Sequence, residues 1–188
     1  MQDIVEIIKS RRCVRQYQKD AVSDEDIEFL INCGIHAPSG FNAQPWKFLV
    51  IKDKKIQDKI SEHGKRSLIP MIEPMKDTSQ KIANFLTFLK AEETSIFYGA
   101  PVLIIILGNE NVMTVDYDCA MAAQTMMLAA NSKGIGSCWI GAATTALMDK
   151  VILKELGVPE GYKAIAPLIF GYPDAETEVP EKNKTDII

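Results

Sequence analysis

The sequence predicts an α+β fold, and three observations carry that prediction. Four apolar runs read as strands: Trp46 to Ile51, Val102 to Leu107, Cys138 to Ile140 and Lys163 to Phe170. Helical patterns lie to either side of them, without the regular strand-helix alternation of a doubly wound sheet. Val102 to Leu107 is apolar at every position, as expected of a central strand covered by helices on both faces. At 188 residues, 47% hydrophobic and 24% charged, the chain fits one domain, 1–188, with enough apolar mass for a sizeable core.

Taken in order, Ile4, Val5, Ile7 and Ile8 recur at helical spacing and define a first short helix. Ser23 followed by Asp24, Glu25 and Asp26 is an N-cap with acids in the first turn, and Ile27, Leu30, Ile31 and Ile35 supply the apolar face of a helix reaching about His36. Pro38 and Gly40 end it, and the strand from Trp46 follows. Lys54 to Ser61 reads as helix. From His63 to Glu93, Gly64, Pro70 and Pro74 interrupt the pattern before Ile82, Phe85, Leu86 and Leu89 restore a helical stripe, so 63–93 reads as a mobile cover over a site. Asp116 to Ser132, rich in Ala and Met, is a good helix former, and Gly134 is placed to end it in the left-handed conformation. Met148 to Leu156 reads as a further helix. Beyond Pro173 the extension 173–188 is polar and aperiodic until Ile187 and Ile188. Those two isoleucines have to be covered, either by the chain's own sheet or by another subunit, and the second option implies an obligate homodimer.

Composition narrows the function classes. A formal net charge of −4 argues against a general nucleic-acid binder, because backbone phosphates select a net basic face. Cys13, Cys33, Cys119 and Cys138 are widely spaced, with no Cys-x-x-Cys and only His36 and His63 beside them. Neither a metal site nor a disulfide framework is indicated, and a reducing cytoplasm is the expected compartment. Met1 to Lys9 lacks a signal-peptide core, and the longest apolar run, Ala100 to Leu107, is too short to span a membrane.

Three segments carry possible chemistry. Ser10 to Tyr17 places Arg11, Arg12 and Arg15 at the exit of the first helix. Such a cluster is an anion site or a solvated basic edge. Pro38-Ser39 and Gln44-Pro45 bracket Asn42, whose amide could bond a heterocycle edge or its own backbone. Gly134-Ile135-Gly136 closes a helix and opens a strand, the reverse of a dinucleotide fingerprint. At the end of that strand, Ile140-Gly141-Ala142 exposes backbone N–H groups to a flat ring, or simply turns tightly. Trp46 and Trp139 and the methionines of 116–132 read as core or interface.

Arg11-Arg12-Cys13-Val14-Arg15-Gln16-Tyr17 resembles the Arg-Arg-Ser-Val-Arg-x-Phe signature of the nitroreductase family of FMN-dependent NAD(P)H oxidoreductases. Ala37-Pro38-Ser39 to Gln44-Pro45-Trp46 and Gly134 to Gly141 are similar to its other two signature blocks, in the same order. Lys182-Asn183-Lys184 sits where the family carries a basic pair.

The resemblance implies a nitroreductase-like fold: a central, mainly antiparallel sheet of four to five strands flanked by helices. The C-terminal tail would be exchanged in a homodimer with FMN sites at the subunit interface. Arg11, Cys13, Lys182 and Lys184 would hold the FMN phosphate, and Arg12 would line the ribityl side. Arg15 would lie by N1 and O2, Asn42 would bond the same polar edge, and the Gly141 N–H would face N5. Pro38, Ser39, Gln44 and Ile140 complete the implied cofactor set. A fork-shaped guanidinium suits a phosphate dianion, and fixed positive charge by N1 stabilises the anionic reduced flavin. The implied reaction is ping-pong: NADH or NADPH passes hydride to N5 and leaves, and an electron-poor acceptor such as a nitroaromatic or quinone takes its place. No classical acid, base or nucleophile is demanded. Cys13 stands where the family has Ser, and its thiol, a weaker donor than a hydroxyl, shifts the phosphate onto Arg11 and the lysines. The lysines themselves are point charges without bidentate geometry. Two alternatives remain: a reductive dehalogenase of the iodotyrosine deiodinase type, which grips its substrate with a cover tyrosine absent from Gly64 to Phe97, and a flavin-binding protein without useful turnover.

Overall fold

In the computed structural model, which describes residues 3–183 and 185, strands β1 (Trp46–Ile51), β2 (Val102–Asn109), β3 (Gly136–Trp139) and β4 (Tyr162–Gly171) form one sheet. Its order is β1-β2-β4-β3 and each neighbouring pair is antiparallel. The sheet thus has four strands among the described residues, at the lower bound of the four to five expected. Because successive strand residues point to opposite faces, β2 feeds two cores. Val102, Ile104 and Ile106 enter one cluster with Leu168 and Phe170, whereas Leu103, Ile105 and Leu107 enter the other with Ile169. Both faces are covered, which is why β2 carries no polar alternation. Each such fully buried Leu or Ile contributes on the order of 2 kcal/mol.

Helices α1 (Ile4–Ser10) and α2 (Asp24–Gly34) precede β1. Ser23 caps α2 as expected, its hydroxyl accepting from the Asp26 N–H at 3.0 Å. The segment 63–93, despite the glycine and prolines that interrupt its sequence pattern, is largely helical: α3 (Lys54–Ile72) runs through Gly64 to Pro70, and α4 (Gln80–Lys90) follows a short 3-10 turn at Glu73–Met75. The glycine does not break α3, because a Cβ there would lie 3.1 Å from the Ala142 carbonyl oxygen and 3.2 Å from the Ile96 side chain. It is the point of closest approach between helix and site loop. The buried stripe of α3 is Gln57, Ile60, Ser61 and Gly64, mostly invisible to a hydrophobic pattern.

Helix α5 (Val115–Ser132) ends as anticipated. Gly134 has φ +73°, the Ile135 N–H donates to the Ala130 carbonyl at 2.9 Å, and the Gly134 N–H donates to Asn131 at 3.1 Å. This is a Schellman termination. A short helix α6 (Thr144–Leu147) was not anticipated, and the expected helix Met148 to Leu156 is α7 (Lys150–Glu155), which starts at Lys150 because extended Asp149 caps it through the Val151 N–H at 2.8 Å. The third strand starts two residues earlier than anticipated. Ile187 and Ile188, on which the tail argument rested, lie outside the described residues. Among the described residues, no helix is long and apolar enough to cross a membrane.

The first turn of α5 seats on the end of β2 through Gly108. A Cβ there would meet Ile165 Cδ1 and Val115 Cγ2, each at 2.4 Å. Gly108→Ala is therefore expected to lower stability by about 1–3 kcal/mol through overpacking, read as an earlier urea midpoint with unchanged slope.

Candidate functional site

The arginine segment is held extended against the sheet edge. At the end of α1, the Arg11 N–H donates to the Ile7 carbonyl at 3.2 Å, and Asn131 Nδ2 donates to the Ile7 carbonyl at 3.0 Å and to Ser10 Oγ at 2.9 Å. Cys13 then bridges in parallel to Ser137, with the Val14 N–H donating to the Ser137 carbonyl at 3.0 Å. Val14 is buried over Gly136, where a Cβ would come within 2.8 Å of its side chain. Only glycine admits that contact. The Tyr17 hydroxyl closes the segment by donating to the Val14 carbonyl at 2.8 Å. Extended backbone sends alternate residues the same way, so Arg11, Cys13 and Arg15 share one side.

That side opens on a cavity of about 1010 Å³. Lys9, Arg11, Arg12, Arg15 and Lys182 line it, against two acids of the tail, Glu176 and Glu178, so the wall is cationic. Arg15 and Tyr98 are shared with an adjoining cleft of about 150 Å³ lined by Ile140 and Gly141. Gly141 is exposed, a Cβ on it would meet nothing within 4 Å, and its N–H donates to no protein acceptor among the described residues. The far wall is aromatic. Tyr98 stacks on Phe88 with centroids 5.2 Å apart, Phe88 on Phe85 at 6.4 Å, and the Arg15 guanidinium carbon lies 5.8 Å from the Tyr98 ring centre. Burial pushes the Tyr98 phenol above its ordinary range. Tyr98 takes a left-handed φ of 53°, strained for a side chain of this size. A cationic wall in one cavity, continuous through Arg15 and Tyr98 with a flat aromatic wall and a free N–H in the next, fits a planar ligand with an anionic tail.

Several of the residues expected at the site lie elsewhere in the protomer or have a second role. Arg12 turns back onto its own helix, Nη1 donating to the Lys9 carbonyl at 2.6 Å and the Arg11 carbonyl at 2.9 Å. It caps α1 as well as lining the cavity. Lys184 lies outside the described residues. Pro38, Ser39, Asn42 and Gln44 do not join the cavity: their loop sits at the N-terminal end of α5, whereas the arginine segment sits at its C-terminal end. The Gly40 N–H donates to buried Asp118 at 3.0 Å, and a Cβ on Gly40 would meet Thr114 Oγ1 at 2.5 Å. The 18-residue helix α5 separates the two sites by about 25 Å at ~1.5 Å rise per residue. Within this loop Phe41, Asn42 and Gln44 all have positive φ (52°, 55° and 44°), and Phe41 is wholly exposed.

Tyr98, Phe85 and Phe88 were not anticipated as site residues. The Tyr98-Gly99 turn signal was present, but nothing local told that the ring would face Arg15. Tyr98 also falls one residue past the segment whose lack of tyrosine weighed against a dehalogenase.

Known proteins resemble the chain along most of its length. A protein of Archaeoglobus fulgidus with the provisional name NADH dehydrogenase/NAD(P)H nitroreductase is 28% identical over 96% of this chain and 91% of its own. An iodotyrosine deiodinase of Thermotoga neapolitana is 25% identical over 93% of this chain and 90% of its own. A crystal structure of a nitroreductase with bound FMN from Bacteroides fragilis superposes with a TM-score of 0.79 at 28% identity, covering 98% of this chain and 96% of that one. The segments that build the cavity, from the arginines through Gly141, fall within residues 8–172, the span matched by the model of the nitroreductase family, and the chain belongs to that family.

Proposed function

We propose that this chain is an FMN-dependent oxidoreductase that takes two electrons from NADH or NADPH and delivers them to a flat, electron-poor acceptor such as a nitroaromatic or quinone. The observation that carries the reading is the pairing of the Arg11–Arg15 wall with the open Gly141 N–H in two adjoining cavities that share Arg15 and Tyr98, on a family scaffold whose solved relative binds FMN. When bound, FMN supplies the two-electron redox chemistry that the cavity's side chains lack. Arg11 and Lys182 would hold its phosphate. Arg15 would keep positive charge beside the ring, and the Gly141 N–H would donate to the ring edge. The aromatic wall from Tyr98 to Phe85 excludes water and gives flat molecules a surface to stack on.

The cavity of one protomer lacks the loop 38–44, which we assign to a second protomer in a homodimer. The loop's strained, exposed backbone supports this reading, since strain of that kind persists where a site uses it. Anaerobic mixing of the purified yellow protein with NADH or NADPH should bleach the flavin rapidly, and nitrofurazone or menadione should restore the colour. Steady-state reciprocal plots should be parallel, with reductant and acceptor taking turns. A colourless protein that refuses added FMN overturns the reading, and a flavin that does not bleach reduces it to binding alone. Reductive dehalogenation is a second reading, kept open by Tyr98 in the cavity and by the deiodinase relative. It requires iodide release from 3-iodo-L-tyrosine.

A further inference from the structure

Cys13 and Cys138 meet where the arginine segment joins the sheet. The bridge sets Cys13 opposite Ser137, so strand spacing puts its Cα about 6 Å from that of Cys138, inside the ~4.4–6.8 Å range that a disulfide spans. Both side chains border the same core cluster and flank Arg15 and Tyr98, Cys13 in the larger cavity and Cys138 in the adjoining cleft. Their surroundings differ. Cys13 is half-buried on the cavity wall with Arg11 Nη1 3.8 Å from its sulfur, whereas Cys138 is 1% exposed. The Cys138 contact, then Arg11 and Arg15, hold the Cys13 thiol well below the ordinary thiol range against the effect of its burial. The same contact and burial push Cys138 up. Cys119 shows the contrasting inert case, buried among apolar neighbours and pushed up to about 12 by burial, with Asp118 and Asp116 adding to it. An accessible thiolate beside a covered, protonated thiol is the arrangement of an attacking and a resolving cysteine.

We infer that Cys13 and Cys138 form a thiol-disulfide switch set off by hydroperoxides that enter the cationic cavity. The Cys13 thiolate attacks the terminal oxygen of the hydroperoxide; the S–O bond forms, the O–O bond breaks, and the alkoxide, or hydroxide where the oxidant is hydrogen peroxide, leaves and takes up a proton as the alcohol or water. Sulfur is oxidised by two electrons to the sulfenic acid and the peroxide is reduced by two. The Cys138 sulfur then attacks Cys13 Sγ, forming the S–S bond, and the hydroxyl departs as water with the Cys138 proton. The disulfide welds the arginine segment to β3 and removes a sulfur ligand from Arg11. This inference does not depend on which cofactor the cavity takes.

The test is stoichiometric hydrogen peroxide added to the protein as purified, followed by denaturation in an alkylating agent and peptide mapping. Two of the four thiols should disappear, the mass should fall by two hydrogens, the Cys13 and Cys138 peptides should be joined, and dithiothreitol should reverse all three changes. In Cys138→Ser, Cys13 should stop as a sulfenic acid that dimedone traps. Four intact thiols, a link through Cys33 or Cys119, or direct over-oxidation of Cys13 in the native chain would each overturn the inference. The native map alone decides it should a variant fail to fold.

Discussion

Replacing Arg11 with alanine is expected to weaken FMN retention roughly ten- to hundredfold, measured as the dissociation constant in a flavin fluorescence titration. A hydrogen bond to a charged group is worth about 1.5–3 kcal/mol, and each ~1.4 kcal/mol is a factor of ten. Arg11 is placed for that role by backbone alone: its N–H ends α1 on Ile7, and its side chain reaches the cavity on the same side as Cys13 and Arg15. Arg12 supplies the contrast. Its guanidinium binds the Lys9 and Arg11 carbonyls, so Arg12→Ala should lower the melting temperature more than it weakens the cofactor. Arg66, on the exposed face of α3 with only a 3.9 Å contact to Glu62, is the control for bulk charge. An Arg11→Ala protein with the native dissociation constant would remove the phosphate from this wall.

The local parts of the fold were legible because they rest on local physics. Ser23 with three acids behind it, and Gly134 behind an alanine-rich run, fix helix ends by capping and by left-handed backbone, and both appear as expected. The apolar runs of β1, β2 and β4 announce burial on the sheet. Where the reading failed, a long-range contact outweighed a local preference. Gly64 looked like an interruption, yet it serves a packing contact with Ala142 that no sequence window contains. Asp149 caps α7 and starts it two residues later than apolar spacing alone would place it. The site divides in the same way. Arg11, Cys13 and Arg15 share a side because they alternate along one extended segment. Tyr98 reaches Arg15 through a fold-level contact between segments more than eighty residues apart. The distance between the loop 38–44 and the arginines could not be read from order along the chain at all. It emerges once α5 is seen to lie between them.

That distance leads to the second large effect. Tyr117→Glu combined with Met121→Glu is expected to convert a dimer to monomers in sedimentation analysis and to strip the protein of FMN in the same step. Met113, Tyr117 and Met121 recur every four residues at the start of α5 and are 97%, 74% and 38% exposed, and fully exposed Phe41 projects from the loop packed against the same end of the helix. Ile4, Val5 and Ile8 of α1 are exposed at the other end, where Asn131 joins α1 to α5. Two exposed apolar patches of this kind, one at each end of α5, are costly to leave in water and fit the proposed dimer interface. If a second protomer lies against it antiparallel, the loop of each chain is carried the ~25 Å needed to reach the arginine segment of the other. Two carboxylates introduced within that contact have no partners to compensate their desolvation, a cost of several kcal/mol per buried charge. Both positions are exposed in the single protomer, so the folded monomer itself should survive, with far-ultraviolet circular dichroism unchanged. A monomer that kept FMN at native affinity would show that the loop 38–44 plays no part in holding it, and that Arg11, Arg15 and Gly141 of one chain suffice.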